Sequence, residues 1–434
     1  MSPRRIVLAT AGSLGDLHPF IALALALEAR GFEAEIATSP EYADKIRAEG
    51  LVFHPIGPTL AELEARLGLD RVALTRAIGR SSVFLFEKLL LPYLESGSRE
   101  LIQAADGASA IVGATFAAGA AMAAERLGIA FVPVALQPAV VFSAYDPPRL
   151  QAAPWLLPAR GGLGLALNRM TVAMARASTA RWTGRVNTVR ATLDLPSERR
   201  NLLMDGMEGR ALSLGLYSPL LSPAQPDAPP GFAVVGPAHY DREADGPVGL
   251  SPVLSAFLAA GPAPLVFTLG SAVVNDPGDF YAESLKAARR LGRRAVLLVG
   301  PDGDPSVADG PDAIAVGYAP FSLLFPHAAA VVHQGGVGTT QQALRAGRPQ
   351  LIVPYLGDQF DNAARIVRLG CGATLSRRAY RDRRVATVLE RLLTDPVVEE
   401  TATRLGVVAA QEDGAAEAAD RIIEMLSLSQ SERA

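Results

Sequence analysis

The sequence predicts an α/β protein with two doubly wound, Rossmann-like parallel sheets, one in each half of the chain. Three observations carry that expectation. Short apolar runs of buried-strand length alternate with helical patterns through both halves, and that alternation builds parallel sheets. The tract Pro219–Pro237 holds Pro219, Pro223, Pro226, Pro229, Pro230 and Pro237, a density that suits neither helix nor central strand and so marks a linker. Ala330–Gly370 reads as strand, glycine turn, helix, strand, loop and helix. At 434 residues each half has room for its own core.

In chain order, Arg5–Thr10 is a buried strand by its Ile-Val-Leu run, and the loop Ala11–Leu17 follows. Pro19 suits the first turn of a helix carrying Phe20–Arg30, which Gly31 caps. Phe32–Thr38 is a strand, Pro40–Glu49 a helix and Leu51–Ile56 a strand. Leu60–Leu101 is mostly helical with a break at Pro92. Its Phe84, Phe86, Leu89, Leu91 and Tyr93 exceed the needs of one buried stripe, so they either pack helices together or wall a pocket for a greasy ligand. Ala110–Ala114, Ala117–Leu127 and Ala130–Leu136 resume the alternation. Gln137–Arg149 leaves a strand end irregularly and carries Phe142 and Tyr145. Trp155–Leu193 is helical and Leu212–Leu216 is the last strand of the first half. With a linker over 219–245, the halves are 1–218 and 246–434. The second half runs through strands Leu265–Thr268, Ala295–Val299 and Ala313–Val316, with a helix at Phe280–Leu291 and a short one at Leu323–His327. Helices Arg381–Leu393 and Val397–Leu428 close it.

Bulk properties exclude several classes. A net charge of −3 leaves no electrostatic footprint for nucleic acid. Cys371 is the single cysteine, so no internal disulfide forms, and an inert buried thiol in a reducing compartment is expected. The apolar run after Arg4-Arg5 is too short for a signal peptide, and Gly15-Asp16 interrupt it. Gly107–Ala124 is uncharged but reads as strand plus helix. The expectation is a soluble cytoplasmic protein without an integral membrane segment. His54, His239 and His327 show no metal-ligand spacing.

Two loops carry chemistry. His333 ends a strand, and Gly335, Gly336, Gly338, Thr339 and Thr340 follow before a helix. Backbone N–H groups and the positive helix end converge there as a phosphate cradle, with threonine hydroxyls as further donors. A second strand leads through Pro354 to Asp358-Gln359 and another helix. Near the N-terminus stands Gly12-Ser13-Leu14-Gly15-Asp16-Leu17-His18-Pro19. Asp16 there either caps the following helix or acts as a base.

The ordered set His-x-Gly-Gly-x-Gly-Thr-Thr, then Pro354, then Asp358-Gln359, resembles the nucleotide-sugar signature of the GT-B glycosyltransferases, family one. The N-terminal loop matches the Gly-Ser-x-Gly-Asp-x-x-Pro loop of its bacterial branch, which contains sterol, glycopeptide-antibiotic and rhamnolipid-type enzymes. The resemblance covers most of the chain and implies a GT-B plan with the ligand crevice between the halves. It leaves the last helix free to pack back on the N-terminal half.

The resemblance also assigns roles. His333, Gly335, Gly336, Gly338 and Thr339 hold a diphosphate, with Ser271 as an extra contact or an ordinary turn serine. Tyr318 stacks on the nucleobase, beside Ala319 and Gln341. Two departures from plant members stand out: Phe321 replaces a glutamine near the base, and Gln341 replaces a ribose-binding glutamate. Asp358 and Gln359 grip the sugar hydroxyls. The surplus aromatics Phe84 and Phe86 and the irregular loop's Phe142 and Tyr145 are, from the residues alone, the candidates to line an acceptor site. Asp16 is the general base, with His18 in reserve.

The implied activity is inverting transfer of a glucose- or rhamnose-type hexose from a UDP- or dTDP-sugar to a small hydrophobic acceptor such as a polyphenol, sterol, macrolide or lipid. It uses no cofactor or metal and proceeds in one in-line step, in a monomer or weak dimer. Two alternatives remain open at this point: a nucleotide-sugar 2-epimerase and an inactive auxiliary homologue. Joint retention of Asp16, His333, Asp358 and Gln359 argues against the second.

Overall fold

The computed structural model describes residues 4–149, 153, 155–201, 204–240 and 249–431. The chain forms two compact units, one of residues 1–240 with 413–434 and one of residues 241–412.

The first unit is a parallel sheet of β1 (Arg5–Ala9), β2 (Glu33–Thr38), β3 (Val52–Pro55), β4 (Ala110–Ala114), β5 (Ala130–Ala135), β6 (Ser213–Gly215) and β7 (Phe232–Val234). Their order is β3-β2-β1-β4-β5-β6-β7, so the winding reverses between β1 and β4. Ile6, Val7, Leu8 and Ala9 of β1 are fully buried on both faces, as a central parallel strand requires. The loops after β1 and β4 flank the reversal, where doubly wound sheets open a crevice.

Helix α1 (Leu14–Glu28) starts five residues before Pro19, which lies inside it. The expected start at Pro19 is thus corrected. Ser13 is the N-cap and Asp16 closes a capping box, which nucleates the helix earlier than the proline does. Pro19 cannot donate to the Gly15 carbonyl, and Gly15 is exposed, so water can satisfy that group. Helices α2 (Leu94–Ala104) and α3 (Ala120–Leu127) cover one sheet face, where Leu101, Ala120, Ala123 and Ala124 join Val7 and Ile111. The helical stretch expected over Leu60–Leu101 is broken into short pieces. Phe86 in it stacks on Trp182 with ring centroids 4.6 Å apart. Helices α4 (Gly162–Thr179) and α5 (Thr183–Thr192) follow.

The proline tract holds strand β7, which pairs with β6. The linker expected over 219–245 is corrected to that extent. Pro229-Pro230 and Pro237 bracket the strand, and an edge position tolerates such neighbours. Residues 241–245 of the expected linker lie outside the described residues.

The second unit is a parallel sheet of β8 (Leu265–Thr268), β9 (Ala295–Leu298), β10 (Ala313–Val316), β11 (Ala330–His333), β12 (Gln350–Ile352) and β13 (Gly372–Thr374), in the order β10-β9-β8-β11-β12-β13. Its winding reverses between β8 and β11. Helices α6 (Phe280–Arg290), α7 (Val337–Arg345), α8 (Gln359–Leu369), α9 (Asp382–Thr394) and α10 (Pro396–Ala409) surround it. The Asp361–Arg365 ion pair, at 2.7 Å, locks α8 in the interior. Burial pushes the Cys371 thiol up to about 11, in keeping with an inert thiol.

Helix α11 (Gly414–Ser431) groups with the first unit, the packing that the resemblance left open for the last helix. Ala418, Ala419 and Ile422 are fully buried in the core that holds Phe20 and Ile21. Arg30 fixes the helix by donating to Asp420 at 2.6 Å and to the Ala416 carbonyl. Ile422→Ala should therefore lower stability by about 2–5 kcal/mol, the cost of a large-to-small change in a packed core. Urea unfolding followed by tryptophan fluorescence measures this, and an unchanged midpoint would show that α11 does not complete the core.

Candidate active site

The phosphate-cradle turn is built around a histidine that cannot reach outward. His333 ends β11 and is fully buried. Its Nδ1 accepts from the Gly335 N–H at 3.1 Å, which places the ring proton on Nε2, 2.9 Å from Gln350 Oε1. The Gln350 amide in turn donates to the Thr340 carbonyl at 3.3 Å. Burial lowers the His333 pKa to about 4, so the ring is neutral. With both nitrogens engaged in this structure, His333 shapes the turn from behind.

The turn beyond it faces solvent. Gly335 has φ +96°, and a Cβ there would meet Ile352 Cγ2 at 2.7 Å; only glycine fits on both counts. Gly336 caps α7, and the Thr340 hydroxyl donates to its carbonyl at 2.9 Å. The N–H groups of Val337, Gly338 and Thr339 occupy the first helical turn and have no intrahelical acceptor. Gly338 is exposed with open space above it, whereas Thr339 is buried. Free N–H groups and the positive end of a helix dipole favour negative charge at this position.

Sequence reasoning missed Gln334. Its side chain is 3% exposed and its Oε1 has no hydrogen-bond partner among the described residues. Its Nε2 lies where a Cβ on Gly270 or Gly336 would sit. It thus spans the carboxyl ends of β8 and β11, beside the exposed Ser271. The only signal for it was an amide inside the glycine turn.

The expected sugar loop also divides. Gln359 is 2% exposed, and its Oε1 accepts from the N–H groups of Tyr355 at 2.8 Å and Leu356 at 3.0 Å. Its amide oxygen therefore braces its own loop rather than a sugar. Asp358 is half-buried and accepts from Asn362 Nδ2 at 2.8 Å. The same Nδ2 lies 2.9 Å from the Gly335 carbonyl. Asn362, a second missed residue, ties the Asp358 loop to the phosphate turn. Tyr318 follows β10 and is 36% exposed, while Ala319 and Gln341 are buried.

In the first unit, Asp16 Oδ2 accepts from the Ser13 N–H at 2.8 Å and the Ser13 hydroxyl at 3.1 Å. Asp16 therefore does help cap a helix, as one sequence reading held. Gly12 has φ +134°, and its missing Cβ is where the Asp16 carboxylate lies. Burial raises the Asp16 pKa, opposed by the bonds from Ser13. His18 moves the other way. Burial, then the charge of Lys45, lowers its pKa to about 3, and its ring meets Tyr240 edge-on at 5.0 Å. The same desolvation strengthens the carboxylate as a base and weakens the imidazole.

The first unit also holds a cavity of about 350 Å³, lined among others by Thr115, Ala118, Ala121, Phe131, Phe142 and Val172. The size suits a small organic ligand. Arg210 lies over the Phe131 ring at 5.0 Å, with an Nε that has no partner among the described residues. Of the expected acceptor residues, Phe142 lines this cavity and Phe84, Phe86 and Tyr145 do not. Phe86 packs on Trp182, and the Tyr145 ring lies under the Arg169 guanidinium at 5.9 Å. Asp16 and His18 do not line it either. Among the described residues no cluster of His, Cys, Asp or Glu is arranged to hold a metal, and no helix is long and apolar enough to cross a membrane.

The buried histidine makes a pH prediction. Its folded pKa of about 4 lies below the ordinary imidazole value of 6.5, so between those values the unfolded chain binds the extra proton. Its contribution is fully present above pH 6.5 and is lost as pH falls toward 4, by roughly 3 kcal/mol. The melting temperature of His333→Gln should therefore fall less steeply than wild type across that window. Parallel curves would show that His333 is not held neutral.

Residues 6–140 match the glycosyltransferase family 28 N-terminal domain, and residues 282–425 match the erythromycin biosynthesis protein CIII-like C-terminal domain. The chain is 31% identical over 447 residues to a vancomycin aglycone glucosyltransferase of Amycolatopsis orientalis, covering 98% of each protein. It is 30% identical to an O-mycaminosyltylonolide 6-deoxyallosyltransferase of Streptomyces fradiae, covering 94% of each. The solved glycosyltransferase VinC, in complex with dTDP, shares the fold with a TM-score of 0.69 at 18% identity, over 98% of this chain and 99% of that one. Full-length identity at this level, two matched domains and two Rossmann-like sheets with a glycine cradle place the chain in the GT-B glycosyltransferase family, among the relatives of the glycopeptide and macrolide enzymes.

Proposed function

We propose that this glycosyltransferase moves a hexose from a UDP- or dTDP-sugar to a hydroxyl of a small hydrophobic natural product, with inversion and with Asp16 as the base. The observation that carries the reading is the Asp16 carboxylate in the first turn of α1, just beyond β1, held by Ser13 and raised in basicity by burial. An acceptor hydroxyl is a poor nucleophile until its proton is partly removed during attack. The neighbouring His18, pushed down to about 3, is the weaker candidate.

On the donor side, the diphosphate meets the N–H groups of Val337, Gly338 and Thr339 and the α7 dipole, with Ser271 and Gln334 at its flank. Tyr318 stacks on the base above Ala319 and Gln341, and Asp358 holds sugar hydroxyls. The charge of the leaving diphosphate is met by these fixed dipoles, so a chelator leaves turnover unchanged. That dTDP occupies VinC supports a thymidine donor, and the glucosyl relative keeps UDP-glucose in the test set. The cavity receives the acceptor's apolar bulk.

Asp16→Asn keeps an oxygen for the Ser13 bonds but cannot take the proton. Transfer, followed by mass spectrometry with glycopeptide, macrolide and phenol acceptors, should fall about 10²–10⁴-fold with donor affinity intact. In wild type, activity should decline as pH falls through a value above the ordinary carboxylate range. Near-normal turnover in the variant, or its loss in His18→Ala alone, would remove Asp16 from the role.

Ala121→Trp should fill the cavity and raise the acceptor KM about tenfold or more, an effect of steric exclusion, without changing affinity for dTDP. An unchanged KM would place the acceptor elsewhere.

A further inference from the structure

We infer that the outward face of α4 docks this protein on the surface of an anionic lipid bilayer. Leu163, Leu167, Met170 and Met174 are 91%, 40%, 55% and 64% exposed. Their spacing of i, i+4, i+7 and i+11 puts them on one stripe of the helix, roughly 16 Å long. The flanking Gly164, Ala166, Thr171, Ala173 and Ser178 are uncharged and small. Trp155 and Leu157, just before the helix, are 57% and 55% exposed. Exposed apolar side chains are ordinary singly, but a contiguous set of this kind marks a contact surface.

Charge identifies the partner. Residues 147–193 hold seven arginines and no aspartate or glutamate, in a chain of net charge −3. Arg160, just before α4, and Arg185, on the following helix α5, are exposed and make no ion pair among the described residues. Arg181 is also exposed and lies 3.8 Å from Glu87. Arg176 and Arg190 are paired with acids and stand apart from this set. A helix with apolar side chains outward, an exposed tryptophan at its start and cations at its ends lies in the plane of a membrane interface.

A second copy of the chain fits less well. Pairing α4 with its counterpart would bring the same arginines together, and a stripe this short falls below the area of a stable dimer. The opposite side of α4 presents Val172 to the cavity. A bilayer-bound helix would thus hold the cavity beside apolar molecules dissolved in the lipid. That coupling rests on the proposed function, whereas the docking does not.

The test is co-sedimentation of the whole protein with vesicles of phosphatidylglycerol mixed with phosphatidylcholine, against phosphatidylcholine alone. Binding should be at least about tenfold stronger to the anionic vesicles and should weaken with salt, as screening requires. The exposed double variant Leu163→Glu/Met174→Glu should lose it at unchanged melting temperature, and Arg160→Ala/Arg185→Ala should weaken it. Absence of binding, equal binding to both vesicles, or binding unaffected by the glutamates would overturn the inference. So would a wild-type dimer in analytical ultracentrifugation that the glutamates split, since a second copy would then cover the stripe.

Discussion

A neutral imidazole sealed inside the second unit sets the geometry on which its candidate site depends. His333 accepts from the Gly335 N–H and donates to Gln350, while Gln350 reaches the first turn of α7. Three pieces of backbone are therefore tied to one ring that is too buried to carry charge. The turn can leave β11 at a positive φ and present its next N–H groups outward because the ring holds it from behind. Asn362 extends the same logic by joining the Gly335 carbonyl to Asp358. The residues that look like ligand contacts in the sequence are, in part, the frame that aims the backbone.

The first unit follows a related principle with the opposite chemical sign. Desolvation disfavours charge on any group. At Asp16 it makes a carboxylate hungrier for a proton, and at His18 it makes an imidazole reluctant to take one. Two titratable groups two residues apart on one helix turn thus differ in basicity through burial. Ser13 keeps the carboxylate oriented meanwhile. Capping and catalysis are compatible roles for Asp16, since one carboxylate oxygen meets both Ser13 donors.

Much of the fold was legible before any coordinates. Strands such as Arg5–Ala9, Ala110–Ala114 and Ala330–His333 are short apolar runs bounded by turn residues, and a local pattern suffices to find them. The errors fall where a local signal had two readings. Pro19 reads as a helix start, yet the Ser13–Asp16 capping box starts the helix sooner. The prolines of 219–237 read as a linker, yet they bracket an edge strand, β7, whose existence depends on β6 offering it a partner. Phe86 allowed either helix packing or a pocket wall and packs on Trp182, while Tyr145, a candidate pocket wall, lies under Arg169.

By itself the sequence determined the alternation of elements, the two sheets, the glycine turn and the family resemblance, because each rests on spacing within a few dozen residues. Only the tertiary structure decided which side chains face the site. Whether His333 and Gln359 point at a ligand or at their own backbone depends on Gln350 and on the Tyr355–Leu356 N–H groups. Whether α11 completes the first core depends on Phe20 and Arg30, nearly four hundred residues earlier in the chain. Burial and hydrogen-bond partnership are properties of positions in space. A linear pattern carries them only where neighbours in sequence are also the neighbours that matter.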